Sequence, residues 1–222
     1  MQLDKRLSAV AGLVRKGTRF ADIGTDHAYL PVYLIKNDII DNAIAADLRE
    51  GPLENARETA EAYNLADKII LRLSDGLDNF SDGEVNEIAV AGMGGLLIAR
   101  FIERTEWLKI SDIHLILQPM THTEELRKTL YDNGFFIDKE VAVSDKDKLY
   151  IVISAYCCGK KIDYADTDLI VGKLPQNNDK DSKVYLNHIY EKYNKKLIAL
   201  KKAGKECEEL EKIVGELKKW QL

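Results

Sequence analysis

Apolar residues recur along the 222-residue chain with two alternating periods. Residues 3–14 put Leu3, Leu7, Val10, Ala11 and Val14 on one helical face, and Gly17 ends that helix. Short apolar runs and amphipathic stretches then alternate. Strands are predicted at 19–24, 42–47, 68–73, 87–91 and 113–117. Helices are predicted at 29–36, 51–63, 96–103 and 122–132, with Pro52 in the first turn of the second and Asn133-Gly134 closing the last. Runs 135–144 and 149–156 read as two further strands joined by the charged turn Asp145-Lys146-Asp147-Lys148.

Strands alternating with helices predict an α/β fold with a doubly wound parallel sheet. The last two strands are too close in sequence for a parallel crossover, so they must form an antiparallel hairpin. Five parallel strands followed by a hairpin is the layout of the class I (Rossmann-like) S-adenosylmethionine-dependent methyltransferases. Residues 1–158 are therefore expected to form one catalytic domain. Residues 159–183 are polar, contain Pro175 and Gln176-Asn177-Asn178-Asp179, and read as a connector. Beyond them Leu186, Ile189, Tyr193, Leu197 and Leu200 repeat at spacings of three and four. After Gly204 the rhythm resumes at Leu210, Ile213, Leu217 and Trp220. Residues 159–222 are thus expected to be a connector and an antiparallel, coiled-coil-like helical hairpin. Its role is open between packing, dimerisation and gripping a large substrate.

The sequence holds no apolar run near the ~18 residues that span a bilayer. Residues 1–17 lack the apolar core and cleavage site of a signal peptide. Cys157, Cys158 and Cys207 offer neither a disulfide framework nor metal-ligand spacing, which fits buried thiols in a reducing cytoplasm. No metal and no membrane partner are expected, and a monomer is favoured. The net charge of −5 argues against a polyanionic partner, but its distribution does not. Residues 159–222 carry 14 Lys and 11 acidic groups, net +3, which leaves −8 on residues 1–158. Attraction for nucleic acid should be local, although a solvated helical surface explains the same asymmetry.

Ligands in such a sheet sit beyond the carboxyl ends of the strands. The first strand ends in Asp22-Ile23-Gly24-Thr25-Asp26-His27-Ala28-Tyr29-Leu30-Pro31. Gly24 permits close approach to backbone, while Asp26 is also a candidate N-cap. Asp47 ends the second strand 23 residues after Gly24, where a carboxylate bonds ribose hydroxyls; capping the next helix is the alternative. Asp75-Gly76 ends the third strand, where an acid accepts a bond from an adenine amine, and is equally an ordinary turn. A pyrophosphate needs a G-x-G-x-x-G nest and is repelled by carboxylates. The pattern Asp22-x-Gly24-x-Asp26 instead suits the ammonium and sulfonium of S-adenosyl-L-methionine, which disfavours a nicotinamide oxidoreductase.

Residues 22–31, Ala91-Gly92-Met93-Gly94-Gly95 and Leu115-Ile116-Leu117-Gln118-Pro119, in this order, resemble the bacterial tRNA (adenine-N1)-methyltransferases that modify adenine 22. The resemblance covers nearly the whole chain, the helical hairpin included. It implies a Rossmann-like catalytic domain, S-adenosyl-L-methionine and a tRNA substrate. Met120 stands where many members have Asn, and Asp47 where relatives often have Glu. On this reading Asp22, Gly24, Asp26, His27, Asp47, Leu48, Asp75, Gly76, Ala91, Gly92, Met93 and Gly94 surround the cofactor. Asp26 is the candidate stabiliser of a cationic adenine and acceptor of its N6 proton. Tyr29 is placed to stack on or bond the base, Gln118 to donate and accept, and Pro119 to form an apolar wall. His27 and His122 are candidate phosphate or base contacts. The alternatives are a methyltransferase of another RNA, a protein or a small molecule, and a non-catalytic RNA-binding protein.

Overall fold

The structure is a computed structural model that describes residues 1–109 and 112–220. The last two residues of the expected hairpin region, 221 and 222, lie outside the described residues. Strands β1 (Phe20–Ile23), β2 (Ala43–Asp47), β3 (Ile69–Leu73), β4 (Glu87–Gly94) and β5 (His114–Thr121) run parallel. Strands β6 (Phe135–Asp145) and β7 (Lys148–Cys157) form the expected antiparallel hairpin, with β7 against β5. The order across the seven-stranded sheet is β3-β2-β1-β4-β5-β7-β6. The chain reverses direction of travel between β1 and β4, so the crevice at their carboxyl ends is the switch point where ligands sit in such sheets.

Successive strand residues face opposite ways and supply two cores. Ala89, Ile116 and Val152 pack beneath α1 (Lys5–Ala11), α2 (Tyr29–Lys36) and α3 (Glu50–Ala62). Their neighbours Ile88, Val90, Leu115, Leu117, Ile151 and Ile153 pack beneath α4 (Gly95–Arg104) and α5 (Thr123–Asp132). Strands β4 and β5 run further than their apolar runs suggest. The ladder continues through Met93↔Pro119 and Gly94↔Thr121 with register shifts, and glycines carry no hydrophobic signal there.

The polar connector contains structure that its composition conceals: α6 (Asp166–Val171) and a 3₁₀ turn at Leu174–Gln176. Ile170, Val171 and Leu174 enter the α4–α5 core. The buried Arg127 donates to Glu140 Oε1 at 2.8 Å and to the carbonyls of Leu169 and Ile170 at 2.7 and 3.0 Å. Glu140 also accepts from the Lys173 backbone at 2.6 Å. One buried ion pair therefore ties the connector to α5 and β6. Beyond it, α7 (Lys180–Lys202) and α8 (Glu208–Leu217) form a hairpin whose arms have 23 and 10 residues. Gly204 turns with φ +62°, and Lys201 pairs with Glu211 across the arms at 2.6 Å. Leu186, Ile189 and Leu217 belong to the same core as the sheet.

At the amino ends of the strands, Glu87 accepts from Arg15 Nε at 2.6 Å and lies 2.8 Å from His114 Nδ1, whose Nε2 lies 2.8 Å from Ser154 Oγ. These polar side chains satisfy one another at the end of the sheet remote from the switch point. The expected burial of the cysteines is not met: Cys158 is exposed, and Cys157 and Cys207 are half-buried, because all three fall at element ends. Among the described residues no helix is long and apolar enough to cross a membrane.

Candidate active site

The loop after β1 is pinned by backbone bonds from Gly24 and Thr25 to the Ala46 carbonyl, at 2.8 and 3.0 Å. Gly24 has φ +79°, which glycine adopts without steric cost. The N-terminus of α2 is held by the Thr25 hydroxyl, which accepts from the Ala28 N–H at 3.1 Å. Asp26 is therefore not the cap. Its carboxylate is exposed, 3.5 Å from His27 Nε2. His27 and Tyr29 stack in parallel with ring centroids 4.9 Å apart, and Tyr29 is 44% exposed. An acid thus stands beside a solvent-facing aromatic pair on one turn.

Asp22 is buried on β1, only 8% exposed. Burial pushes its carboxyl up to about 6, with the Asp47 charge adding to the rise, while the Thr25 hydroxyl and the Arg6 charge pull it down. A carboxylate held at that cost is suited to receiving a cation that replaces its lost water. Asp47 is mostly buried at the end of β2, and its Oδ1 accepts from the Arg49 N–H at 2.8 Å. Arg49, not Asp47, occupies the cap position of α3. Leu48 beside it is 62% exposed. Asp75 after β3 is exposed and paired with Arg104 at 3.2 Å, so its carboxylate is already engaged within the protein. Gly76 lies under the Phe101 ring, 2.6 Å from where a Cβ would stand.

Two expectations change at β4 and β5. Gln118 does not face a base: it is fully buried and its amide is spent inside the protein. Its Oε1 accepts from Arg6 Nη1 at 2.8 Å and from the Gly92 N–H at 3.0 Å, and its Nε2 donates to the Pro119 carbonyl at 2.9 Å and to Met120 Sδ at 3.6 Å. Pro119 is also buried, inside the extended β5, and offers no exposed wall. Met120, 46% exposed, supplies the apolar surface there. Ala91, Gly92, Met93 and Gly94 form the end of β4. The Met93 methyl packs on Gly24, so the close approach that this glycine allows is made by a side chain of the protein. Gly95 presses against the Thr121 and His122 carbonyls, which joins the β4 and β5 ends. His122 is exposed, with Nδ1 3.0 Å from Thr121 Oγ1.

Sequence reasoning misses Arg6. It sits one position from Leu7 on the buried face of α1, and no strand-end motif points to it. A cleft of about 860 Å³ lies away from these loops, between α5, α6 and the hairpin, and is lined by Glu124, Tyr193, Lys196, Lys212 and Ile213 among others. A second cleft, of about 360 Å³, runs from His122 along α5 to Tyr185 and Lys192 on α7. Among the described residues no cluster of His, Cys, Asp and Glu is arranged to hold a metal ion, and the three cysteines are free thiols.

The strand order, the β6–β7 hairpin and the acids at the ends of β1 and β2 define a Rossmann-like methyltransferase domain. A methyltransferase-domain family model matches residues 3–153. The tRNA (adenine(22)-N(1))-methyltransferase of Bacillus subtilis is 36% identical over 78% of this chain and 73% of its own length. Streptococcus pneumoniae Sp1610, named a candidate tRNA (m1A22) methyltransferase and solved with S-adenosyl-L-methionine, matches with a TM-score of 0.84 at 32% identity, covering 100% of both chains. M. capricolum TrmK, solved with S-adenosyl-homocysteine, matches with a TM-score of 0.79 at 26% identity over 99% of this chain and 98% of that one. The chain belongs to the tRNA (adenine(22)-N(1))-methyltransferase family.

Proposed function

We propose that this protein transfers the methyl group of S-adenosyl-L-methionine to N1 of adenine 22 in tRNA, acting as a monomer and without a metal. The observation that carries this reading is the turn after β1. It sets a buried acid, Asp22, on one side of Gly24 and an exposed acid, Asp26, with the stacked His27–Tyr29 pair on the other. The donor, when bound, supplies a sulfonium methyl for in-line displacement by the N1 lone pair.

The residues fit that donor. Asp22 is a desolvated acid for the ammonium, and Asp47 an acid at the β2 end for the ribose hydroxyls. Leu48 gives an apolar surface for adenine, and Asp75 an acceptor for its amine. Ala91, Gly92, Met93 and Gly94 form the wall between donor and base. Positive charge passes from sulfur to the purine during transfer, and Asp26 stabilises it and accepts the N6 proton. Tyr29, backed by His27, stacks on the adenine, which must leave its own stack to reach the site. Gln118 and Pro119 act from beneath by holding the β4 and β5 ends. The catalytic unit is residues 1–158, and residues 159–222 dock on it and grip tRNA.

The test is incubation with methyl-labelled S-adenosyl-L-methionine and unmodified tRNA, followed by nucleoside analysis. The reading requires label in 1-methyladenosine. Label in another nucleoside, or none, contradicts it.

A further inference from the structure

We propose that Leu96 and Leu97 form an apolar wedge that fills the gap left in the RNA stack when the target adenine swings out. The inference rests on the proposed methylation of adenine 22 in tRNA. Both leucines stand on the first turn of α4, directly after the β4 end at Gly94. They are 44% and 37% exposed, although Gly95 and Ile98 on the same turn are buried. The backbone fixes them at the rim of the crevice. Gly94 pairs with Thr121 across the β4 and β5 ends, and a Cβ on Gly95 would stand 2.5 Å from the Thr121 carbonyl. The exposed Met120, one residue before Thr121, stands on the same rim.

Single exposed leucines are ordinary, but an adjacent pair beside a site marks a contact surface. The chemistry of the reaction says what covers it. N1 of an adenine in a folded RNA is reached only after the base leaves its stack, and the void costs the stacking of its neighbours. Tyr29 on the β1 loop is proposed to take the base that leaves, and a different group must refill the stack. Aliphatic side chains inserted between bases do so in other nucleic-acid complexes. Charge fits the same occupant. The first turn of α4 carries no acid, unlike the strand ends with Asp22, Asp26 and Asp47. Arg100, one turn beyond the leucines on their exposed face, enters no ion pair among the described residues, whereas Arg104 is held by Asp75 and Asp78. The leucines thus meet bases, and Arg100 meets a flanking phosphate. A second copy of the chain is the other occupant of an apolar patch, but an open cation beside it favours RNA.

The experiment measures one round of methyl transfer, with donor and enzyme saturating, to two tRNA transcripts. One is ordinary. In the other the base stacked next to adenine 22 is removed, leaving an abasic nucleotide. The unaltered protein should methylate the abasic transcript at least as fast as the ordinary one. The double variant Leu96→Ala, Leu97→Ala should slow transfer to the ordinary transcript about ten-fold or more, a part of the unstacking cost. It should slow transfer to the abasic one less than about three-fold, because little stack remains to refill. Leu96→Met with Leu97→Met should keep most of the rate, and donor affinity by calorimetry should be unchanged in both. Arg100→Gln should reduce the slope of log tRNA affinity against log salt by roughly 0.7–0.9. Equal slowing on both transcripts, no slowing on the ordinary one, slower transfer by the unaltered protein to the abasic one, an unaltered salt slope, or a dimer that the alanine variant loses in sedimentation overturns the inference. If the double alanine variant does not fold, Leu96→Ala and Leu97→Ala are read singly by the same criteria. Failure of the unaltered protein to methylate the ordinary transcript instead overturns the reading on which the inference rests.

Discussion

The Met93 methyl rests on Gly24, so the ends of β4 and β1 touch where the first loop turns. A Cβ at Gly24 would collide with Met93 Cε, and the φ of +79° disfavours a side chain independently. Gly24→Ala should therefore destabilise by at least the about 1–2 kcal/mol of a left-handed residue. Met93→Ala should relieve only the collision. Urea denaturation of both single variants and the double variant checks this: the double should recover part of the Gly24→Ala loss, and strict additivity would remove the contact from the account.

Asp22 links the fold to the proposed binding of a cation. Its carboxyl lies at about 6 in the fold against an ordinary 3.8. Between those values the folded protein holds the proton more tightly than the unfolded chain. This group's contribution to stability is full below about 3.8, falls as pH rises, and is lost above about 6. Asp22→Asn should remove that slope and raise stability at pH 7 by up to about 3 kcal/mol. The same variant should bind S-adenosyl-L-methionine more weakly. Parallel denaturation and calorimetry across roughly pH 4–8, a range set about the shifted value, measure both; destabilisation at pH 7 would contradict the assignment of burial as the cause.

Asp26 is exposed and caps nothing, so its charge can be tested without breaking a helix. Asp26→Asn should bind donor and tRNA almost normally and turn over on the order of 10²-fold more slowly. Near-normal turnover with both substrates saturating would return Asp26 to the solvent surface.

The alternating periods make the sheet and its helices legible. The switch-point acids are legible too, because Asp22, Gly24 and Asp47 fall at strand ends. Gln118 misleads because a polar residue after an apolar strand looks available, whereas Arg6 and Gly92 spend its amide inside the protein. Arg6 is invisible in the sequence because its role depends on how α1 crosses the sheet. Residues 159–183 look like a linker because the Arg127–Glu140 pair that anchors them is 13 residues apart and on other elements. That anchoring has a practical consequence. Removing residues from Ser182 onward would strip Leu186, Ile189 and Leu217 from the sheet's own core, so truncation cannot isolate the hairpin's role.

Charge removal is the cleaner probe of the hairpin. Lys195, Lys196 and Lys202 are exposed on α7. Replacing all three with Ala should weaken tRNA binding, with each lost phosphate contact reducing the slope of log affinity against log salt by roughly 0.7–0.9. Donor binding should be unchanged. An unaltered salt slope would assign the hairpin to packing alone.

The most direct measurement compares methyl transfer to one tRNA transcript bearing adenine at position 22 with the same transcript bearing guanine there. Transfer to N1 of adenine 22 requires 1-methyladenosine at position 22 in the first and no methyl transfer to the second. Equal methylation of the two transcripts would contradict it.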